Sequence, residues 1–172
     1  MIEVRAAASE DVSAIAEINV RGWQIAFRHL FPNEFLGAMD PKAREPFVNE
    51  VVGKGPTYHV AVAVEGDDVV GYVILGPPLA EDLDASQVHE LYSLYIEPDR
   101  IGTGVGRLLM DHALKYLHAG GWGYAVLWTL RDAERTSRFY EKAGWSLDVA
   151  EKVEEIPEGN PVVQVRYRVD LH

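Results

Sequence analysis

The most pointed chemistry in this chain lies in eight residues, Arg100-Ile101-Gly102-Thr103-Gly104-Val105-Gly106-Arg107. Alternating glycines admit positive φ angles and let a ligand approach the main chain closely. A helix is expected to start directly after them, so several amide N–H groups point outward without intrahelical acceptors. The helix dipole adds roughly half a positive charge at that end. Together these features describe an anion site suited to phosphate or pyrophosphate. Arg100 and Arg107 flank it and are candidates for charge-assisted contacts. The dinucleotide template G-x-G-x-x-G fails here, because its third glycine falls on Arg107 or, one register on, on Leu109. The phosphate-loop template also fails, since no Gly-Lys pair is followed by Ser or Thr. Spacing alone leaves two readings open, an anion site or a flexible glycine loop without a ligand.

Such a turn needs elements to hold it. Ile2 to Ala6 alternates as a short strand, and Ser9 offers an N-cap to a helix running to about Phe27. Asp40-Pro41 reads as a cap and first-turn proline for a second helix. Tyr58 to Val64 and Val69 to Leu75 form a hairpin around Glu65-Gly66-Asp67-Asp68. An acidic loop from Leu79 to Gln87 leads to a strand from Val88 to Ile96. The helix after the glycine turn shows an apolar face of Val105, Leu108, Leu109, Tyr116 and Leu117, and Gly120-Gly121 ends it. A strand from Tyr124 to Thr129, a helix from Ala133 to Ala143 and strands at Trp145 to Val149 and Val162 to Val169 follow. The order is β-α-α-β-β-β-α-β-α-β-β, a mixed-sheet α/β protein forming one domain over residues 1–172.

Bulk composition narrows the function classes. The net charge of −11 disfavours binding to nucleic acid or anionic membranes and favours a cationic partner. No apolar run is long enough to span a bilayer, and the first residues lack the pattern of a signal peptide. A cytoplasmic protein is the simplest reading. With no cysteine, thiolate metal sites and cysteine nucleophiles are absent, and the six histidines show no zinc spacing. No metal is implied.

The residues around the turn carry a resemblance. The strand Glu90-Leu91-Tyr92-Ser93-Leu94-Tyr95-Ile96 precedes it, and Arg138-Phe139-Tyr140-Glu141-Lys142-Ala143-Gly144-Trp145 lies about thirty residues on. With the order of elements, these motifs make the chain similar to the GNAT superfamily of N-acetyltransferases. The family pattern Q/R-x-x-G-x-G/A has Ile101 at its first position here, and an asparagine common before the F-Y pair is replaced by Ala133.

The resemblance implies the GNAT fold and an N-acetyltransferase using acetyl-CoA as co-substrate. The backbone of Leu94, Tyr95 and Ile96 would pair with the pantetheine arm, and amides within Ile101, Gly102, Thr103, Gly104, Val105, Gly106 and Arg107 would hold the pyrophosphate. Tyr140 would protonate the departing thiolate, which a phenol with a pKa of about 10 can do at neutral pH. Phe139 is expected to pack into the core. Glu90 matches a family glutamate that often accepts the amine's proton; period-two alternation places it with Tyr92, Leu94 and Ile96, and turns His89 to the other face in a structural role. Trp23, Gln24, Phe27 and the Leu79–Gln87 loop are the candidate acceptor wall. The expected acceptor is a primary amine of a small molecule or peptide, cationic if the acidic loop faces it, attacking directly in a ternary complex. A coenzyme-binding protein without turnover and transfer of a different acyl group are the alternatives. A homodimer is left open.

Overall fold

A computed structural model describes all residues, Met1 to His172. Its centre is a seven-stranded sheet in the order β1-β2-β3-β4-β5-β7-β6. The strands are β1 (Ile2–Ala6), β2 (His59–Glu65), β3 (Asp68–Gly76), β4 (Val88–Ile96), β5 (Tyr124–Leu130), β6 (Ser146–Glu155) and β7 (Pro161–Asp170). All neighbouring pairs are antiparallel except β4 and β5. The helices are α1 (Val12–Ala26), α2 (Asn33–Gly37), α3 (Pro41–Val52), α4 (Val105–Ala119) and α5 (Glu134–Lys142). The expected order holds with one addition, the single-turn helix α2. Pro32 ends the preceding segment and sits at that helix's N-cap.

Local signals account for most boundaries. Asp40 caps α3 by accepting from the Lys42 amide at 3.0 Å, with Pro41 at the first helical position. Ser9 does not cap α1. A 3₁₀ turn from Ser9 to Asp11 precedes the helix, and buried Asp11 instead accepts from the Ala8 amide at 2.8 Å and from Arg5 at 2.7 and 3.0 Å. The β2–β3 hairpin closes through Gly66, at φ 62°, which only glycine adopts at little cost.

Two apolar layers sandwich the sheet. Ile15, Ile18, Val48 and Val51 of α1 and α3 pack on Val62, Tyr72 and Ile74. On the other face, Val105, Leu109, Met110, Ala113 and Leu117 of α4 pack on Val73, Leu75, Leu91 and Leu127. Leu108, expected on that inner face, is exposed, and Met110 and Ala113 take the buried positions. An aromatic knot of Phe27, Phe31, Leu36 and Leu130 closes one end.

Strand β4 departs from simple alternation. Ile74 pairs with Ser93 and Leu75 with Leu91, so Tyr92 is an extra residue, a β-bulge. Beyond it the faces change over. Leu94 and Ile96 pack on the α4 side, whereas Tyr92 and Tyr95 pack on the α1–α3 side. The expected grouping of Glu90 with Leu94 and Ile96 is therefore corrected: Glu90 pairs in register with Gly76, whose neighbours are Tyr58 and Tyr92. His89 lies on the α4 side, buried and stacked on Trp122 at 3.9 Å, with burial pushing its pKa down to about 4. That is the structural role expected of it.

Candidate active site

The bulge coincides with a parting of strands. β4 pairs with β5 only from Val88 to Leu91, after which β5 pairs with β7 alone. On its other side β4 stays bound to β3, and the Glu97 amide donates to the Val70 carbonyl at 2.9 Å. Antiparallel ladders alternate, so Tyr95 and Ser93 also direct their main-chain groups to β3. The N–H and C=O of Leu94 and Ile96 then face the gap. Of the three residues expected to offer backbone there, Tyr95 does not.

The gap opens into a cavity of about 1050 Å³. The glycine turn forms one end of it. Gly102 and Gly104 stand at φ 83° and 95°, and a side-chain carbon added at either would meet nothing within 4 Å. Gly104 is the N-cap of α4, whose first main-chain bond runs from Leu108 to the Gly104 carbonyl at 3.1 Å. The amides of Gly102, Gly104, Val105, Gly106 and Arg107 have no main-chain acceptor. Five donors gathered at a helix N-terminus fit a polyanion such as a pyrophosphate. Two expected donors are excluded: the Ile101 amide is spent on the Pro98 carbonyl and the Thr103 amide on that of Arg100.

The flanking arginines differ in use. Arg100 turns away to Glu65 at 2.5 Å and does not line the cavity. Arg107 is 86% exposed at the cavity edge, and Arg135, Arg138 and Lys142 of α5 line the same cavity. A strongly acidic protein thus lines this cavity with several basic side chains.

Tyr140 reaches the cavity from α5 yet is only 7% exposed, packed near Trp145 and Tyr167. Burial, reinforced by the neighbouring Tyr72 phenol, raises its pKa above the usual value, and no hydrogen bond from the protein holds its hydroxyl. Phe139 is the less buried of the pair; it lines the cavity and lies 3.3 Å from where a Gly106 side chain would begin. Ala133, in place of the family asparagine, is buried in the aromatic knot, and Asp132 beside it is exposed against Arg131.

Glu90 also lines the cavity, 4% exposed. Burial raises its pKa; the Leu79 amide, donating to Oε2 at 2.9 Å, and the charges of Lys152 and Arg166 pull the other way. Trp23 and Phe27 form part of the wall, edge to face at 5.2 Å, with Phe27 the more buried. Gln24 is excluded, its amide donating to the Leu36 carbonyl. Of the acidic loop only Leu79 reaches the cavity, and Asp82 is engaged by Arg166 at 3.3 Å. Sequence reading missed Asn19, Arg44, Tyr72 and Ser93, which are among the residues lining the α1–α3 side.

Residues 56–147 match the family model described as an acetyltransferase (GNAT) domain, which is more than half of the chain. The chain belongs to the GNAT acetyltransferase family. Among its relatives, this GNAT protein is 28% identical over 131 residues to the uncharacterized N-acetyltransferase YuaI of Bacillus subtilis, covering 76% of this chain and 72% of that one. It is 27% identical to the peptidyl-lysine N-acetyltransferase YjaB of Escherichia coli over 78% of this chain and 80% of that one. The PaiA N-acetyltransferase of Thermoplasma acidophilum, solved with coenzyme A, shares the fold with a TM-score of 0.78 at 17% identity, over 99% of both chains. The acetyltransferase YncA of Salmonella typhimurium, solved with acetyl-CoA, superposes with a TM-score of 0.75 at 19% identity, over 100% of this chain and 95% of that one. No group of three or more His, Asp or Glu side chains in this GNAT protein is placed to hold a metal ion, and no helix is long and apolar enough to cross a membrane.

Proposed function

We propose that this protein transfers the acetyl group of acetyl-CoA to a primary amine by direct attack within a ternary complex. One observation carries the reading. The free amides of the glycine turn, the unpaired edge of β4 and the Tyr140 phenol all border one continuous cavity. Acetyl-CoA supplies an activated acyl thioester. Gly102, Gly104, Val105, Gly106 and Arg107 would bind its pyrophosphate, and Leu94 and Ile96 would pair with its amide-bearing arm as an added strand.

The chemistry falls to two side chains. The amine nitrogen attacks the carbonyl carbon, forming the C–N bond as the C–S bond breaks. Tyr140 hydrogen-bonds the sulfur as negative charge develops there and passes it the phenolic proton. Burial keeps that proton in place across the neutral range. Glu90 accepts the proton that the amine must lose, through water, and Tyr140 is then reprotonated from solvent. A main-chain N–H at the open edge would polarise the carbonyl oxygen.

The test is release of free thiol from acetyl-CoA with a panel of amines, with the product identified by mass. Thiol release matched by an N-acetylated amine is expected. Tight coenzyme binding with no turnover across the panel would instead identify a coenzyme-binding protein.

A further inference from the structure

The cavity has a second charged feature, on the side away from the glycine turn. Arg44 lies on α3 and lines the cavity with Asn19, Trp23, Tyr72 and Tyr95. This is the sheet face that carries α1 and α3, opposite the face on which α4 packs.

Its state of pairing sets it apart. The other arginines that are not exposed are each held by a carboxylate: Arg21 by Glu97, Arg100 by Glu65, and Arg166 by Asp148 and Asp82. Arg44 has no carboxylate partner and sits over the Trp23 ring, 5.7 Å from its centroid. Its charge reaches the phenols of Tyr72 and Tyr95, acting on both against the effect of burial. A guanidinium over an aromatic face keeps its N–H groups at the ring's edge, and no side chain or main-chain group of the protein accepts from those of Arg44.

The surroundings supply the complement. Asn19 donates to the Tyr72 hydroxyl at 2.8 Å, while its own Oδ1 is buried without a partner. A cation and an unsatisfied acceptor thus stand beside the open edge where the acyl group would lie. A polycationic acceptor would be repelled by Arg44. A ligand with both an amine and an anion answers both features, and a carboxylate matches the guanidinium fork bidentately.

We propose that Arg44 anchors a carboxylate on the acceptor, so that the amine acetylated here belongs to the amino-acid class. The proposal rests on the acetyl-transfer reading above, and binding tests it apart from turnover.

Calorimetry on the coenzyme A-loaded protein would use L-amino acids, their methyl esters, the amines left by decarboxylation, and a lysine-containing peptide capped at both termini. At least one free amino acid is expected to bind roughly 10–100-fold tighter than its ester and its decarboxylated partner. The Arg44→Gln variant should abolish that preference while binding coenzyme A as the wild type does, and Arg44→Lys should restore part of it. If Arg44 only braces Trp23, the amino-acid preference survives in Arg44→Gln. That result overturns the proposal, as would equal binding of acid and ester, preference for the peptide, or no binding by any probe. Amino-acid binding without thiol release would leave the anchor standing and remove the transfer reading.

Discussion

Arg100, the residue that opens the glycine turn, gives its charge to Glu65 on the β2–β3 hairpin, 2.5 Å away. The pair ties the turn to the sheet from behind. Both partners are about a third exposed, so the tie contributes at most about 1 kcal/mol. Replacing Arg100 with alanine should therefore change the unfolding free energy by less than that, and acetyl-CoA affinity by less than about threefold, measured by denaturant titration and calorimetry. A tenfold loss of affinity would mean that the side chain swings round to phosphate.

Gly104 and Gly66 offer a matched pair of backbone tests. Both have positive φ, 95° and 62°, and each pays roughly 1–2 kcal/mol if a side chain is added there. Only Gly104 shapes the free amides. Gly104→Ala and Gly66→Ala should lose similar stability in thermal unfolding. Coenzyme affinity should fall about tenfold or more in the first and stay unchanged in the second. Equal affinities in the two variants would remove the amide cradle from the account.

Tyr140→Phe deletes one oxygen from a packed ring. The hydroxyl has no hydrogen bond from the protein to lose, so the fold should be as stable as the wild type's. A drop in kcat of about 10²-fold, with coenzyme affinity within about threefold, is the signature of a proton donor. Retained kcat in steady-state assays would eliminate it.

Glu90 sets a pH dependence with a definite sign. Its carboxyl holds its proton more tightly in the folded protein than in the unfolded chain, because burial disfavours the charge. Stability from this group is therefore greatest at low pH, and it declines as pH rises through the window above the ordinary carboxylate value of 4.5. Activity runs the other way, since only the ionised group accepts a proton. The pH profile of kcat should fall on the acid side with a midpoint above 4.5, and Glu90→Gln should abolish that limb without loss of stability at pH 7. An unchanged profile in the variant would assign Glu90 to holding the Leu79 loop alone.

The parts legible in the sequence are those built by neighbours along the chain. The glycine turn, the Asp40 cap and the hairpin at Gly66 each declare themselves within a few residues. The bulge at Tyr92 does not, because Tyr92, Leu94, Tyr95 and Ile96 are apolar or aromatic on either side of it and period-two reading passes straight through one inserted residue. Arg44 escaped notice for another reason. Its meaning lies in the absence of a carboxylate around it in space, while Glu45 stands next to it in sequence. The acidic loop misled in the opposite sense, since Asp82 is neutralised by Arg166, a strand residue far along the chain.

Strand β4 past its bulge works along two perpendicular directions. The side chains of Leu94 and Ile96 go into the α4 core, and their peptide groups lie at right angles to them, along the sheet, toward the gap. Under the proposed function, recognition there reads no side chain at all. Substitutions at these two positions would be felt as damage to packing, while the ladder offered to the coenzyme persists in any sequence that keeps the strand. Sequence drift in this strand is thereby uncoupled from coenzyme choice, and the identity of the amine is left to the opposite wall.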